Sequence, residues 1–402
     1  MIESELSLAK FSKFCNQKFH LQAKAQRLKE FRKEPQIPMA TLFLLMVGSL
    51  ALRKRSFHQI DLFARQPEAR GWLASPRAQV ASDCTLWRVL PKMDRPQLRE
   101  ELQQAYGLLR QQGHGRVELP GGRVIRAAAV DGAMLGGRYA SVVEILGAHA
   151  AILDLEPCEG RGKELPCSEQ VLRRTFSRHG KGFVDIVLGD GLYVTEGMLR
   201  LCREELGTHL LVKSTELETL NLLKDAEAIF QSEEFAPDVE HVSGVDVERG
   251  MRYEVWAAPG FHHAGFEGEL KVARVVIERL KGPRQGQTER FWIITTDLTL
   301  TAEQMRELAH LRWSIENHAF RALNAAVNSK HVWTRGKHAA EVFEALMLMM
   351  FLAFTLVLAY HAQLDTETLW KSRGLRAMTL AYLVECWVLS LPTAAGTFAP
   401  TG

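Results

Sequence analysis

The sequence predicts an α/β protein: a mixed sheet with flanking helices, interrupted by a β-rich insertion and preceded by an all-helical N-terminal domain. Three observations predict it. Residues 1–115 carry helix start and stop signals and helical spacing of apolar residues. From residue 116 short apolar runs replace that pattern, and from Ser168 they alternate with helical stretches. Residues 214–290 then show period-two alternation with glycine turns, before an apolar run and a long helix return.

Composition sets the bounds. The chain has 402 residues, 47% hydrophobic and 24% charged, enough for two or three domains. A net charge of +3 permits a nucleic-acid partner without demanding one. Its distribution is more telling: Lys10, Lys13, Lys18, Lys24, Arg27, Lys29, Arg32 and Lys33 crowd the N-terminal stretch, and Arg53-Lys54-Arg55 follows. The six cysteines form no CxxC pair, and residues 1–20 lack the apolar centre of a signal peptide. A cytoplasmic protein with free thiols is expected. Cys158 and Cys167 flank a glycine- and charge-rich loop, but no second pair completes a zinc site. The apolar runs Met39–Leu52 and Ala345–Tyr360 are short for a bilayer and read as buried core helices, so no membrane is expected.

Taken in order, residues 1–34 read as basic amphipathic helices ended by Pro35 and Pro38, and 39–52 as an apolar helix. Ser56 opens another helix, and Ser82-Asp83 caps a short one. Asp94, with Pro96 in the first turn, starts a helix running to about Gln112. The α/β core comes in two parts, 116–213 and 291–362, around the insertion 214–290. Strands are expected at 124–130, 141–146, 150–155, 183–188, 209–212 and 291–295, and helices at 168–179 and 196–206. Three consecutive strands followed by alternating α and β fit the five-stranded mixed sheet of the ribonuclease H type. Thr301 and Gln304 have capping-box spacing at the start of the helix that carries Glu316. Residues 338–360 form a buried helix, and 363–402 a helical C-terminal region and tail.

Two strands run into Asp-Gly pairs, Asp131-Gly132 and Asp190-Gly191. Ligands of open α/β sheets bind at the C-terminal edge of the strands, and carboxylates gathered there need a cation. Oxygen donors suit Mg²⁺ or Mn²⁺. Glu316 lies four residues after Arg312, on one helix face. Singly, each aspartate reads as a turn residue and Glu316 as half of a helix-surface ion pair with Arg312. Thr334-Arg335-Gly336-Lys337-His338 is a basic loop that could touch phosphate, and His262-His263 reads as a loop tip.

The chain resembles the DDE transposases of bacterial insertion sequences, in the group with a β-rich insertion in a ribonuclease H-like catalytic domain. The likeness is carried over about residues 80–355 by Ser82–Leu86, Ala129–Gly132, Gly162–Leu165, Leu188–Tyr193, Trp292–Thr296 and Leu308–Asn317. Its most specific part is Arg312-Trp313, one residue, then Ile315-Glu316-Asn317. The resemblance implies that Asp131, Asp190 and Glu316 bind two Mg²⁺, with Mn²⁺ able to substitute. It implies cleavage at the element's terminal inverted repeats and direct attack of the 3′-hydroxyl on target DNA. A homodimer on paired ends, working in the bacterial cytoplasm at the nucleoid, is implied too. Arg312 would contact phosphate, with Arg321 and Lys330 close by. Trp256, the one tryptophan in the insertion, would hold a flipped base, as in relatives that use a hairpin end. The signature's tyrosine falls at Ala309 and its lysine at Leu323. That departure leaves two other classes open: a silent or domesticated DNA-binding derivative, and a structure-specific DNA nuclease.

Overall fold

The computed structural model describes residues 8–66, 69, 72–73, 81–147, 149–215, 221–234, 236–283, 285–313, 315–336 and 338–363. The expected C-terminal helices and tail after Gln363 lie outside the described residues. By contacts the chain divides into two compact units: residues 1–112, 135–137 and 320–402 in one, and 113–134 and 138–319 in the other.

Among the described residues the first unit opens with six helices: α1 (Leu8–Lys18), α2 (Leu21–Gln26), α3 (Met39–Ala51), α4 (Phe57–Ala64), α5 (Asp83–Val89) and α6 (Arg95–Gln111). The cap signals work as expected. Ser56, Ser82 and Asp94 each accept a hydrogen bond from the backbone N–H three residues on. The helical N-terminal domain expected at 1–115 is nevertheless not a separate body. It shares its core with residues 320–363, because a helix buried on all sides needs several partners.

The second unit is built on a nine-stranded mixed sheet. Its strands are β3 (Ala127–Leu135), β4 (Arg138–Ile145), β5 (Ala151–Pro157), β6 (Ile186–Asp190), β7 (His209–Ser214), β8 (Glu240–Asp246), β9 (Met251–His263), β10 (Phe266–Arg279) and β11 (Thr288–Thr295). A separate two-stranded ribbon pairs β1 (Val117–Glu118) with β2 (Val124–Ile125). The order across the large sheet is β5-β4-β3-β6-β7-β11-β10-β9-β8. β3, β6 and β7 run parallel, and β4–β5 and β7–β11 are antiparallel. Gly136 and Gly137, with φ of 53° and 77°, join β3 to β4 as the doubly left-handed pair of a two-residue hairpin.

Helix α7 (Glu164–His179) packs on β4 and β5. It starts four residues before the expected Ser168, because Pro166 is tolerated in a first turn. Arg174 pins it to β5 through the buried Asp154, at 2.6 Å, and through Glu156. Helix α8 (Glu196–Arg200) continues as a π-helical turn to Leu206.

The expected five-stranded sheet is thus extended. The insertion does not form a detached body; β8–β10 continue the sheet beyond β11, with Lys271–Glu278 of β10 paired to Thr288–Thr295. Helix α9 (Asn221–Gln231) covers β9 and β10. Helix α10 (Ala302–Leu311) starts with both halves of the capping box in place. The long helix expected through Glu316 breaks at Arg312, and Glu316 opens a π-helical turn that runs to Ala322.

Within the first unit, α11 (Leu323–Val327) precedes α12 (Ala339–Gln363), which packs against α3 and α6. Arg95 and Arg99 of α6 grip Glu344 of α12 at 3.0 and 2.6 Å. One helix among the described residues is long and apolar enough to cross a bilayer, Ala339–Tyr360, and 89% of its apolar window is buried.

β4 carries an ionisable group the sequence did not flag. Glu144 is fully buried, and neither carboxyl oxygen has a hydrogen-bond partner among the described residues. Burial pushes its pKa well above the usual carboxylate range. The folded chain therefore keeps a proton that the unfolded chain releases above about pH 4.3, so stability falls as pH rises past that point. Glu144→Met, which keeps the volume and removes the charge, is expected to stabilise the protein by about 2–4 kcal/mol at pH 8. Urea unfolding at pH 5 and 8 checks it; the gain should shrink at pH 5.

Candidate active site

The site is built on the parallel pair β3–β6. The register runs Ala127↔Ile186 to Ala129↔Leu188. Carried two residues further, it sets Asp131 beside Asp190, on neighbouring strands about 4.8 Å apart. Asp190 ends β6 as expected, and its carboxylate accepts the Leu192 N–H at 2.9 Å. Asp131 does not end its strand, which continues to Leu135. Gly132 permits that placement without a turn, for its N–H donates back to the Asp131 carboxylate at 2.8 Å.

Arg312 joins the third carboxylate to the first. Its Nη1 lies 3.5 Å from Asp131 Oδ2 and its Nη2 3.4 Å from Glu316 Oε1. Both contacts are at the long limit of a hydrogen bond, and the buried Nε has no partner among the described residues. The pairing under-compensates the site. Asp131 is pushed up to about 7, first by burial; Arg312 and the Gly132 N–H pull it down, while Asp190 and Glu316 push it up. The charges of Asp190 and Glu316 thus both reach the Asp131 carboxyl.

Three further side chains join them. Glu164, first residue of α7, packs its carboxyl against Gly132: a Cβ there would fall 2.4 Å from Glu164 Cδ. Burial raises Glu164, Asp190 raises it further, and Arg161 opposes both. Tyr193 is buried beside the acids, its phenol linked to Ser168 at 3.0 Å and Ser168 to Ser141 at 2.7 Å. Burial raises its pKa, the Ser168 hydrogen bond opposes, and Asp131, Asp190 and Glu164 add to the rise. Lys213 pairs in register with Asp190 on β7. Its ammonium lies 3.8 Å from the centre of the Phe291 ring and 5.9 Å from that of the exposed Trp313. Burial depresses its pKa, and Arg312 depresses it further against the pull of Glu289. Glu164 sits in a stretch that carried the family likeness, yet had no role assigned. Lys213 lay one residue past the expected strand end, and its signal was a lone lysine closing an apolar run.

The donor chemistry fits a hard divalent cation: oxygen ligands only, with negative charge in excess of its one close guanidinium. Among the described residues no three His, Cys, Asp or Glu side chains already surround a single ion position, and Arg312 spans two of the carboxylates.

Arg321, Lys330 and Arg335 are exposed residues of the helical unit. Lys337 lies outside the described residues. Trp256 is half-buried on β9 between its cross-strand partners His241 and Arg274. The imidazole stacks on it at 4.8 Å and 10°, and the guanidinium lies 4.0 Å from its centre. Both indole faces are thus covered, and a base could stack there only after one partner moved.

Comparison with protein-family models returned no match, and comparison with curated proteins returned none.

Proposed function

We propose that the protein is a metal-dependent DNA strand-transferase of the DDE transposase type. The observation that carries this reading is that Arg312 bridges Glu316 to Asp131, which lies on a strand whose register with β6 runs toward Asp190; the three are far apart in sequence. The strand order β5-β4-β3-β6-β7, with β3, β6 and β7 parallel, supports a ribonuclease H-like core under them. Asp131, Asp190 and Glu316 would hold two Mg²⁺, for which Mn²⁺ can substitute. When bound, such a pair supplies Lewis-acid stabilisation of the attacking and leaving oxygens of a phosphodiester.

The chain's own residues supply the rest. Arg312, loosely held between two carboxylates, would donate both guanidinium nitrogens to a phosphate near the cut. Lys213 adds a second cation beside Trp313. Water cuts the strand at the element's end and leaves a 3′-hydroxyl, which attacks the target phosphodiester. The partners are the terminal inverted repeats and target DNA, bound by a homodimer at the bacterial nucleoid. A second reading, a derivative that binds DNA without cutting it, is favoured by one observation. Ala309 and Leu323, where the family signature has its tyrosine and lysine, are fully buried and offer nothing to DNA.

The test is cleavage of duplex DNA carrying the element's own inverted repeats, in Mg²⁺. Wild type should cut and leave 3′-hydroxyl ends. Asp190→Asn and Glu316→Gln should each lose roughly 10³-fold or more in rate while still shifting the DNA in a gel. Normal cutting by Glu316→Gln would remove the third ligand from the assignment. Binding without cutting by wild type would select the second reading.

A further inference from the structure

We propose that Cys158 and Cys167 are a reversible dithiol–disulfide couple that ties down the Glu164 turn. The two residues bracket that turn. Cys158 directly follows β5, at the sheet edge, where its N–H donates to Tyr139 O at 2.8 Å. Cys167 lies in the first turn of α7, three residues after Glu164.

The sulfurs converge on consecutive carbonyls of one backbone segment. Cys158 Sγ lies 3.7 Å from Glu156 O, and Cys167 Sγ lies 3.7 Å from Pro157 O and 3.2 Å from Lys163 O. Burial raises the Cys158 thiol to about 12, and the neighbouring Cys167 thiol adds to the rise. Both ends are anchored, β5 by its pairing with β4 and α7 by Arg174 on Asp154 and Glu156. With Cys167 Sγ against the carbonyl of Pro157, the residue before Cys158, a cross-link needs little backbone movement. Both cysteines are partly exposed, so a small oxidant reaches them, whereas Cys15 and Cys202 are buried.

The chemistry balances with a disulfide of the glutathione class as oxidant. The Cys167 thiol loses its proton and attacks one sulfur, releasing one glutathione thiolate. The Cys158 thiol loses its proton and attacks the mixed disulfide at the Cys167 sulfur, releasing the second. Two protein S–H bonds become one S–S bond, and one oxidised glutathione becomes two reduced molecules.

The closed loop contains Arg161 and Lys163, both exposed, and Glu164, whose carboxyl packs on Gly132. Closing it holds the first turn of α7 against the sheet, and with it the carboxyl that borders Asp190.

The test treats the folded full chain with oxidised glutathione or with dithiothreitol, then with trypsin. Peptide mapping should find a Cys158–Cys167 disulfide after oxidation. Native cutting after Arg161 and Lys163 should slow at least fivefold relative to the reduced protein. Dithiothreitol should restore the fast rate, and Cys158→Ser should cut fast in both buffers. A lasting glutathione adduct on either cysteine, pairing with another cysteine, or an unchanged cutting rate would each overturn the proposal. No readout involves DNA, so the outcome stands whether or not the proposed strand transfer is found.

Discussion

Asp131→Asn is expected to abolish DNA cleavage and to stabilise the metal-free protein at the same time. The carboxyl is raised to about 7, against an ordinary value near 3.8, chiefly by burial. Between those values the folded state binds a proton that the unfolded state has released. Stability therefore falls as pH rises from about 4 through about 7, and levels off above. Asparagine has no proton to lose and should flatten that slope. The full linkage amounts to about 4 kcal/mol at pH 7. Losing the 3.5 Å contact with Arg312 offsets part of it, leaving a net gain of about 2–3 kcal/mol. Chemical unfolding in EDTA from pH 4 to 8 measures this. Mn²⁺ should then raise the melting temperature of wild type and leave the variant unmoved, because a ligand stabilises only the state that binds it. A variant no more stable than wild type at pH 7.5 would mean that Asp131 is well compensated, and the acidic site would lose its main physical argument.

Gly48→Ala should be the most damaging small change in the helical unit. A Cβ on Gly48, within α3, would fall 2.4 Å from Trp72 Nε1 and 2.6 Å from Cε2. That indole has nowhere to go. It donates to Leu44 O at 2.6 Å and stacks on Phe11 at 5.6 Å and 8°. Either the ring leaves, with the loss of a buried hydrogen bond, or the helix shifts. Both routes cost about 3 kcal/mol or more. Gly107→Ala in α6 is the control, since nothing lies within 4 Å of its Cβ. It should stabilise by about 1 kcal/mol through helix propensity. Melting curves of the two variants should move in opposite directions.

The parts of this architecture that were legible in the sequence are those set by neighbours in the chain. Ser56, Ser82, Asp94 and the Thr301–Gln304 box cap their helices where the local pattern placed them. The apolar runs around Asp131 and Asp190 became paired strands. What was not legible depends on partners far along the chain. Asp131-Gly132 has the composition of a turn, yet continuing strand pairing carries β3 through it. The alternation in residues 240–279 announces strands but says nothing of which edge they join; the ladder to β11 decides that. Helix α12 shows the same limit, since its apolar length does not reveal that α3 and α6 cover it. Glu164 and Lys213 were missed because an isolated charge at the end of an element is ordinary, and its meaning depends on who faces it.

The unbroken ladder from β5 to β8 makes the segment between Ser214 and Thr288 something other than a cassette. Excising it would strip β11 of β10 and bare the backbone of Phe291–Thr295, five residues buried in the intact sheet. A strand so apolar with open amides is a template for other chains. Shortened forms of this protein would thus be expected to precipitate rather than persist as a minimal core, and natural variation in the segment should concentrate in its hairpin tips, where length can change without uncovering that edge.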